Sequence, residues 1–128
     1  MRVLMYLCHV FSPHAFVATF GFILWVYMPS IEQLEKLLSL DPLDPFLLYG
    51  LAQEHAKAGN TSKAVDLYDQ CLAADPAYCY AYYHKAKAFL AAQNPELAIQ
   101  TIQAGIVAAR THRDHKALGE LEALADEI

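Results

Sequence analysis

The sequence predicts an all-α protein, a short right-handed α-α superhelical array of helix-turn-helix units, and three observations carry that prediction. Asp41-Pro42 and Asp75-Pro76 close two apolar-periodic stretches 34 residues apart, an interval that belongs to stacked helical repeats rather than to a closed enzyme core. Between those landmarks Leu48, Leu51, Ala52, His55, Ala64, Tyr68 and Cys71 map, 34 positions on, to Tyr82, Lys85, Ala86, Phe89, Ala98, Ile102 and Gly105. Small residues return at Ala52/Ala86, Ala64/Ala98 and Cys71/Gly105, with large ones between them. Helices that cross at close range need small side chains at the crossing and bulky ones beside it, so Ala64 and Ala98 are expected where each second helix meets its own first helix. After Ser30 no alternating apolar-polar run is long enough for a strand.

The elements follow in order. Leu34 and Leu37 stand ahead of Asp41-Pro42 as Tyr68 and Cys71 stand ahead of Asp75-Pro76, so residues 30–41 read as the second helix of a unit that lacks its first. Ser30 with Gln33 three residues on forms a capping box that opens it. Asp44 caps a helix that starts at Pro45, runs to Lys57 or Ala58 and stops at Gly59-Asn60, a pair suited to a left-handed terminus. Another runs from about Thr61 to Ala74 and halts at Asp75-Pro76. A third is expected over about Ala77 to Ala92, and Gln93-Asn94-Pro95 then opens a fourth, to about Arg110. From Asp114 the chain places Leu118, Leu121, Ala125 and Ile128 on one face with Glu120, Glu122, Asp126 and Glu127 outside it. That is a capping helix, and covering ~300 Å² of the last apolar face is worth several kcal/mol at about 25 cal/mol per Å², before entropy. The chain divides into an apolar segment (1–27), a half-repeat helix (28–43), two repeat units over 44–110, framed as 45–78 and 79–112, and the capping helix (111–128).

These landmarks resemble the tetratricopeptide repeat, over about two thirds of the chain. The departures are His55 where that family usually has Tyr, Lys85 where it has Leu, and Arg110 in place of the closing Pro. Lys85, at a normally apolar position, must carry its amine to water or find an acidic partner. The resemblance implies a module that binds another protein or a peptide segment along an inner surface lined by first helices. Its groove positions fall on Phe46, Tyr49, Gln53 and Lys57 in the first unit and on Tyr80, Tyr83, Lys87 and Ala91 in the second. That is an aromatic and basic strip on an acidic protein; Tyr82, between two of these residues, is expected to point into the core. The family's clamp on a partner's terminal carboxylate is disfavoured, because Tyr49 and Gln53 stand where its first pair would fall and a third full repeat is missing.

With 14 Asp plus Glu against 9 Lys plus Arg, a net charge of -5, and no basic stripe, the 128-residue chain is not expected to bind nucleic acid. The 56% hydrophobic content is concentrated in residues 1–27, which carry one basic residue, Arg2, and no acid. Ala15 to Met28 is short of the about 20 apolar residues a helix needs to cross a bilayer, and no small-x-small cleavage site follows it. Met28 is therefore the expected start; a membrane or secretory segment, which would make the protein a tethered adaptor, and an extra packed helix are the alternatives. Three cysteines without a C-x-x-C point to a reducing compartment such as the cytoplasm, with Cys71 serving the helix crossing and a Cys71–Cys79 disulfide the lesser alternative.

Catalytic and metal chemistry find no support. His112 and His115 are three apart, but they flank an expected turn at 111–113 and lack a third ligand. His55 is expected to be a packed and satisfied core histidine, and Asp66 and Asp69 a solvated helix face. No nucleophile elbow, phosphate loop or metalloprotease helix is present. The expectation is a non-enzymatic interaction module without cofactor or metal, open to self-association; a regulatory subunit of an enzyme complex is the remaining alternative.

Overall fold

The computed structural model describes residues 29–128, so the expectations for residues 1–27 and for Met28 as the start lie outside the described residues. Six α-helices and no strand occur in that range: α1 (Ile31–Leu40), α2 (Pro45–Lys57), α3 (Thr61–Ala74), α4 (Cys79–Ala91), α5 (Pro95–Thr111) and α6 (His115–Asp126). Each helix packs on its neighbours in the chain, and the pairs α2/α3 and α4/α5 are the most intimate. This is the all-α repeat array expected.

Local chemistry sets the boundaries. Asp44 accepts from the Phe46 and Leu47 amides at 2.8 and 3.0 Å, and Pro45 begins α2 without an orphan N–H. Gly59 takes φ +82°, the left-handed conformation that ends α2. Asn94 caps α5 through the Leu97 amide at 3.2 Å. The two Asp-Pro corners use one device: Asp41 Oδ1 accepts from Leu43 N at 3.4 Å, and Asp75 Oδ1 from Ala77 N at 3.0 Å. At the second corner Tyr78 N donates to the Asp75 carbonyl at 3.1 Å, a turn with Pro76 and Ala77 at its centre, so α4 begins at Cys79 rather than at Ala77.

The core is modular, as a stack of repeats requires. One cluster joins α1, α2 and α3 through Leu34, Leu48, Leu51, Ala52, Ala64, Leu67, Tyr68 and Cys71, and reaches Ala81 of α4. A second joins α4, α5 and α6 through Cys79, Ala86, Ile102, Ala109, Ala117, Leu121 and Leu124. Ala64 and Ala98 are fully buried. Cys71 and Cys79 are free buried thiols, and Cys71 Sγ donates to the Pro45 carbonyl at 3.2 Å, so the alternative disulfide is not formed. Gly105 is a closer crossing still: a Cβ there would lie 2.7 Å from Tyr82 Cβ and 3.1 Å from Leu121.

Four expectations need correction. Leu37 is 47% exposed, because among the described residues no first helix of its own repeat covers it. On α6 the buried stripe is Ala117, Leu121 and Leu124; Leu118 is half-buried, and Ala125 and Ile128 are exposed, because the helix is rolled toward Ala117 and Leu124 about Leu121, which seats against Gly105. Tyr82 is only partly buried against the second cluster, being held at its Cβ by Gly105. His55 is buried as expected, yet neither ring nitrogen has a hydrogen-bond partner among the described residues, so it is packed but not satisfied.

Candidate functional site

The first helices of the two units, α2 and α4, carry a continuous aromatic strip. Tyr49 on α2 packs its ring against Tyr78 in the turn before α4 (centroids 4.9 Å apart) and against His84 on α4 (5.6 Å). His84 meets Tyr83 edge-on at 5.1 Å, and Tyr83 meets Tyr80 at 6.5 Å. Such edge-to-face pairs add about 0.5–1.5 kcal/mol each beyond their area and fix ring orientation. Polar contacts hold the strip at both ends: Gln53 Nε2 donates to Tyr49 Oη at 3.1 Å, and Tyr80 Oη donates to Glu120 Oε1 of α6 at 3.1 Å.

Beside the strip lies an open groove of ≈ 270 Å³ lined by Gln53, Ala56, Lys57, His84, Lys87 and Ala91, with Ala88 and Tyr68 at its floor. Its size falls below the roughly 300–1,000 Å³ of small-molecule sites. Lys57 is 2.7 Å from Glu54 of its own helix, so its charge is partly answered. Lys87 sits 5.4 Å above the Tyr83 ring and has no carboxylate partner among the described residues. Lys116 of α6 stands similarly over Tyr80, at 5.9 Å.

Burial sets the protonation states. It pushes the Tyr49 hydroxyl up to about 12, with Tyr78 and Cys71 adding to the effect, and raises Tyr68 further in the same direction. The Tyr80 hydroxyl is raised by desolvation and by its bond to Glu120. For His84, desolvation and then the Lys87 ammonium lower the imidazole below its usual range, against a smaller opposing pull from Glu120. Tyr49 and Tyr80 are therefore neutral phenols and His84 a neutral imidazole at pH 7, leaving lysine ammoniums as the cations beside them.

Of the residues picked from the sequence, Gln53, Lys57, Lys87 and Ala91 meet in the groove, and Tyr49, Tyr80 and Tyr83 meet in the strip. Phe46, 70% exposed at the start of α2, joins neither. Sequence reasoning missed His84, Tyr78, Lys116 and Glu120. The position of His84, one residue after Tyr83 on a first helix, was a usable signal; no spacing rule points to the two α6 residues. His112 caps the end of α5 and His115 starts α6, both exposed, and among the described residues no group of three His, Cys, Asp or Glu is placed to hold a metal.

A right-handed stack of helix pairs with a lined inner face defines a helical-repeat interaction domain. The tetratricopeptide repeat model matches residues 30–78 and 49–113, more than half the chain, and the chain belongs to that family. A TPR repeat-containing protein of Pseudomonas aeruginosa is 32% identical over 91 residues, covering 71% of this chain and 87% of that one. The crystal structure of a tetratricopeptide repeat domain protein from Salinibacter ruber is 38% identical, with a TM-score of 0.58, across 66% of this chain and 93% of that chain. A Bordetella parapertussis protein solved in solution shares the fold at 23% identity, with a TM-score of 0.67 across 76% of this chain and 84% of its own. Domains of this family generally engage other proteins and are typically scaffolds rather than enzymes. No helix among the described residues is long and apolar enough to cross a membrane.

Proposed function

We propose that this protein is a non-enzymatic adaptor that holds an extended peptide segment of a partner protein against α2 and α4. The supporting observation is the unbroken strip Tyr49–His84–Tyr83–Tyr80 running beside a groove in which Lys87, unlike Lys57, has no carboxylate partner among the described residues. Rigid aromatic side chains give large contact area at low entropy cost, and a lone ammonium at the rim selects an acidic residue. The peptide that fits alternates apolar or aromatic side chains, for the strip, with Asp or Glu opposite Lys87. Gln53 and the phenols, being neutral, supply orientation rather than charge.

The test is affinity capture with the full chain, followed by titration of the recovered partner peptide against variants. Tyr83→Ala and Lys87→Glu should each weaken binding by about 1 kcal/mol or more, with melting temperatures near wild type, and added salt should weaken the wild-type complex. Undiminished binding by both variants moves the site away from this face.

A further inference from the structure

We propose that α5 pairs with the α5 of a second copy of this chain, antiparallel, about a two-fold axis that passes through Gln103. At 17 residues α5 is the longest helix among the described residues, and no charged residue lies between Glu96 and Arg110. Ala98, Thr101, Ile102, Gly105 and Ala109 are buried on its inner side. At 3.6 residues per turn, Glu96, Ile99, Val107 and Arg110 all point within about 40° of the direction of Gln103, on the opposite side. All five are exposed, Ile99 by 42% and Val107 by 64%, an apolar exposure that a lone surface helix does not need.

The order of those residues is its own mirror image. Counting outward from Gln103, four residues lead to Ile99 and to Val107, and three more lead to Glu96 and to Arg110. In an antiparallel pair centred there, Ile99 meets Val107 of the partner subunit, Glu96 meets Arg110 of the partner subunit, and the two Gln103 amides face each other across the axis. A parallel pair would set Glu96 on Glu96 and Arg110 on Arg110, so charge selects the antiparallel arrangement and a second copy supplies the complement at every position. In α3, the corresponding helix of the preceding unit, Asp69 stands 34 residues before Gln103 and is already taken by Lys85. The self-complementary face is thus peculiar to α5.

Two neighbours bear on the pairing. Arg110 lies 3.1 Å from Glu122 with both side chains at least half exposed, a surface pair of the kind worth little and readily exchanged. The contact runs about 21 Å along one helix and falls short of the roughly 1,200 Å² of a standard specific interface. The dimer is therefore weak and concentration-dependent.

Sedimentation equilibrium of the full chain, from micromolar to roughly 1 mM at low salt, tests it. A reversible monomer–dimer equilibrium is expected. Gln103→Lys, which puts two ammoniums on the axis, should weaken dimerisation roughly tenfold or more. Glu96→Arg and Arg110→Glu should each weaken it, and the double exchange, which restores both contacts, should recover most of the loss. Circular dichroism melts establish that each variant folds. A wild-type chain that stays monomeric throughout, a Gln103→Lys chain that associates like wild type, or a double exchange no better than the singles overturns the proposal.

Discussion

Lys85 Nζ on α4 lies 2.6 Å from Asp69 Oδ1 on α3, and the lysine side chain is 18% exposed while the aspartate is 54% exposed. The pair joins the two repeat units at a position where an apolar side chain would normally be covered. It resolves the problem posed by a lysine at a core landmark, since the ammonium emerges beside Phe89, 5.9 Å from the ring, and ends on a carboxylate that water also reaches. Asp69 is thereby more than part of a solvated face, whereas Asp66 remains exposed.

Removing one member of this pair should therefore hurt more than replacing the lysine. Asp69→Ala leaves a largely covered ammonium unanswered and should cost about 1 kcal/mol or more. Lys85→Leu restores apolar packing and should be neutral or stabilising. Urea unfolding midpoints decide; a larger loss for Lys85→Leu would show that the ion pair, not packing, governs this junction.

The helix crossings make a second prediction. Ala64→Leu or Ala98→Leu should destabilise by roughly 1–3 kcal/mol through overpacking at fully buried positions. Lys63→Leu, one residue away and exposed, should change stability little. Equal melting temperatures for all three contradict the register.

Gly105 sets the closest approach in the second core. Gly105→Ala must move α4 or α6, because the new Cβ would sit 2.7 Å from Tyr82 Cβ, a backbone-anchored atom that no rotamer change relieves. Despite alanine's better helix propensity, the variant should lose about 1–3 kcal/mol of stability. Gly50→Ala, where a Cβ meets nothing within 4 Å, should gain a few tenths to about 1 kcal/mol, the opposite sign.

His84 gives stability a pH dependence. Its folded-state pKa is depressed below 6.5, chiefly by burial, so the unfolded chain binds the proton more readily. The contribution is fully present above pH 6.5 and is lost as pH falls from there through the lowered folded value. His84→Gln should flatten that part of the stability profile, and Lys87→Met, which removes the repelling ammonium, should narrow it. NMR titration of the imidazole reads the shift directly; a pKa at or above 6.5 refutes the assignment.

The helices, their order and most of their ends were legible in the sequence, because the signals are local. Asp44 and Asn94 cap through amides two or three residues away, Gly59 supplies a left-handed φ, and the two Asp-Pro corners close with the same short bonds. The 34-residue period added the crossings at Ala64 and Ala98, since each repeat solves the same packing problem in the same way. What the tertiary structure alone decided depends on how far each helix is rolled about its axis. The 3.6-residue period allows neighbouring stripes on α6 that share Leu121, and only the roll at which α6 packs on α5 and α4 selects Ala117–Leu121–Leu124 over Leu118–Leu121–Ala125–Ile128. That roll also brings Glu120 to Tyr80, and the α3–α4 crossing brings Asp69 to Lys85, contacts between residues 40 and 16 positions apart. The aromatic strip arises likewise: periodicity put Tyr49 and Tyr83 on inner faces, but the inclination of α2 to α4 is what inserts His84 between them, and no rule of spacing along one helix contains that angle.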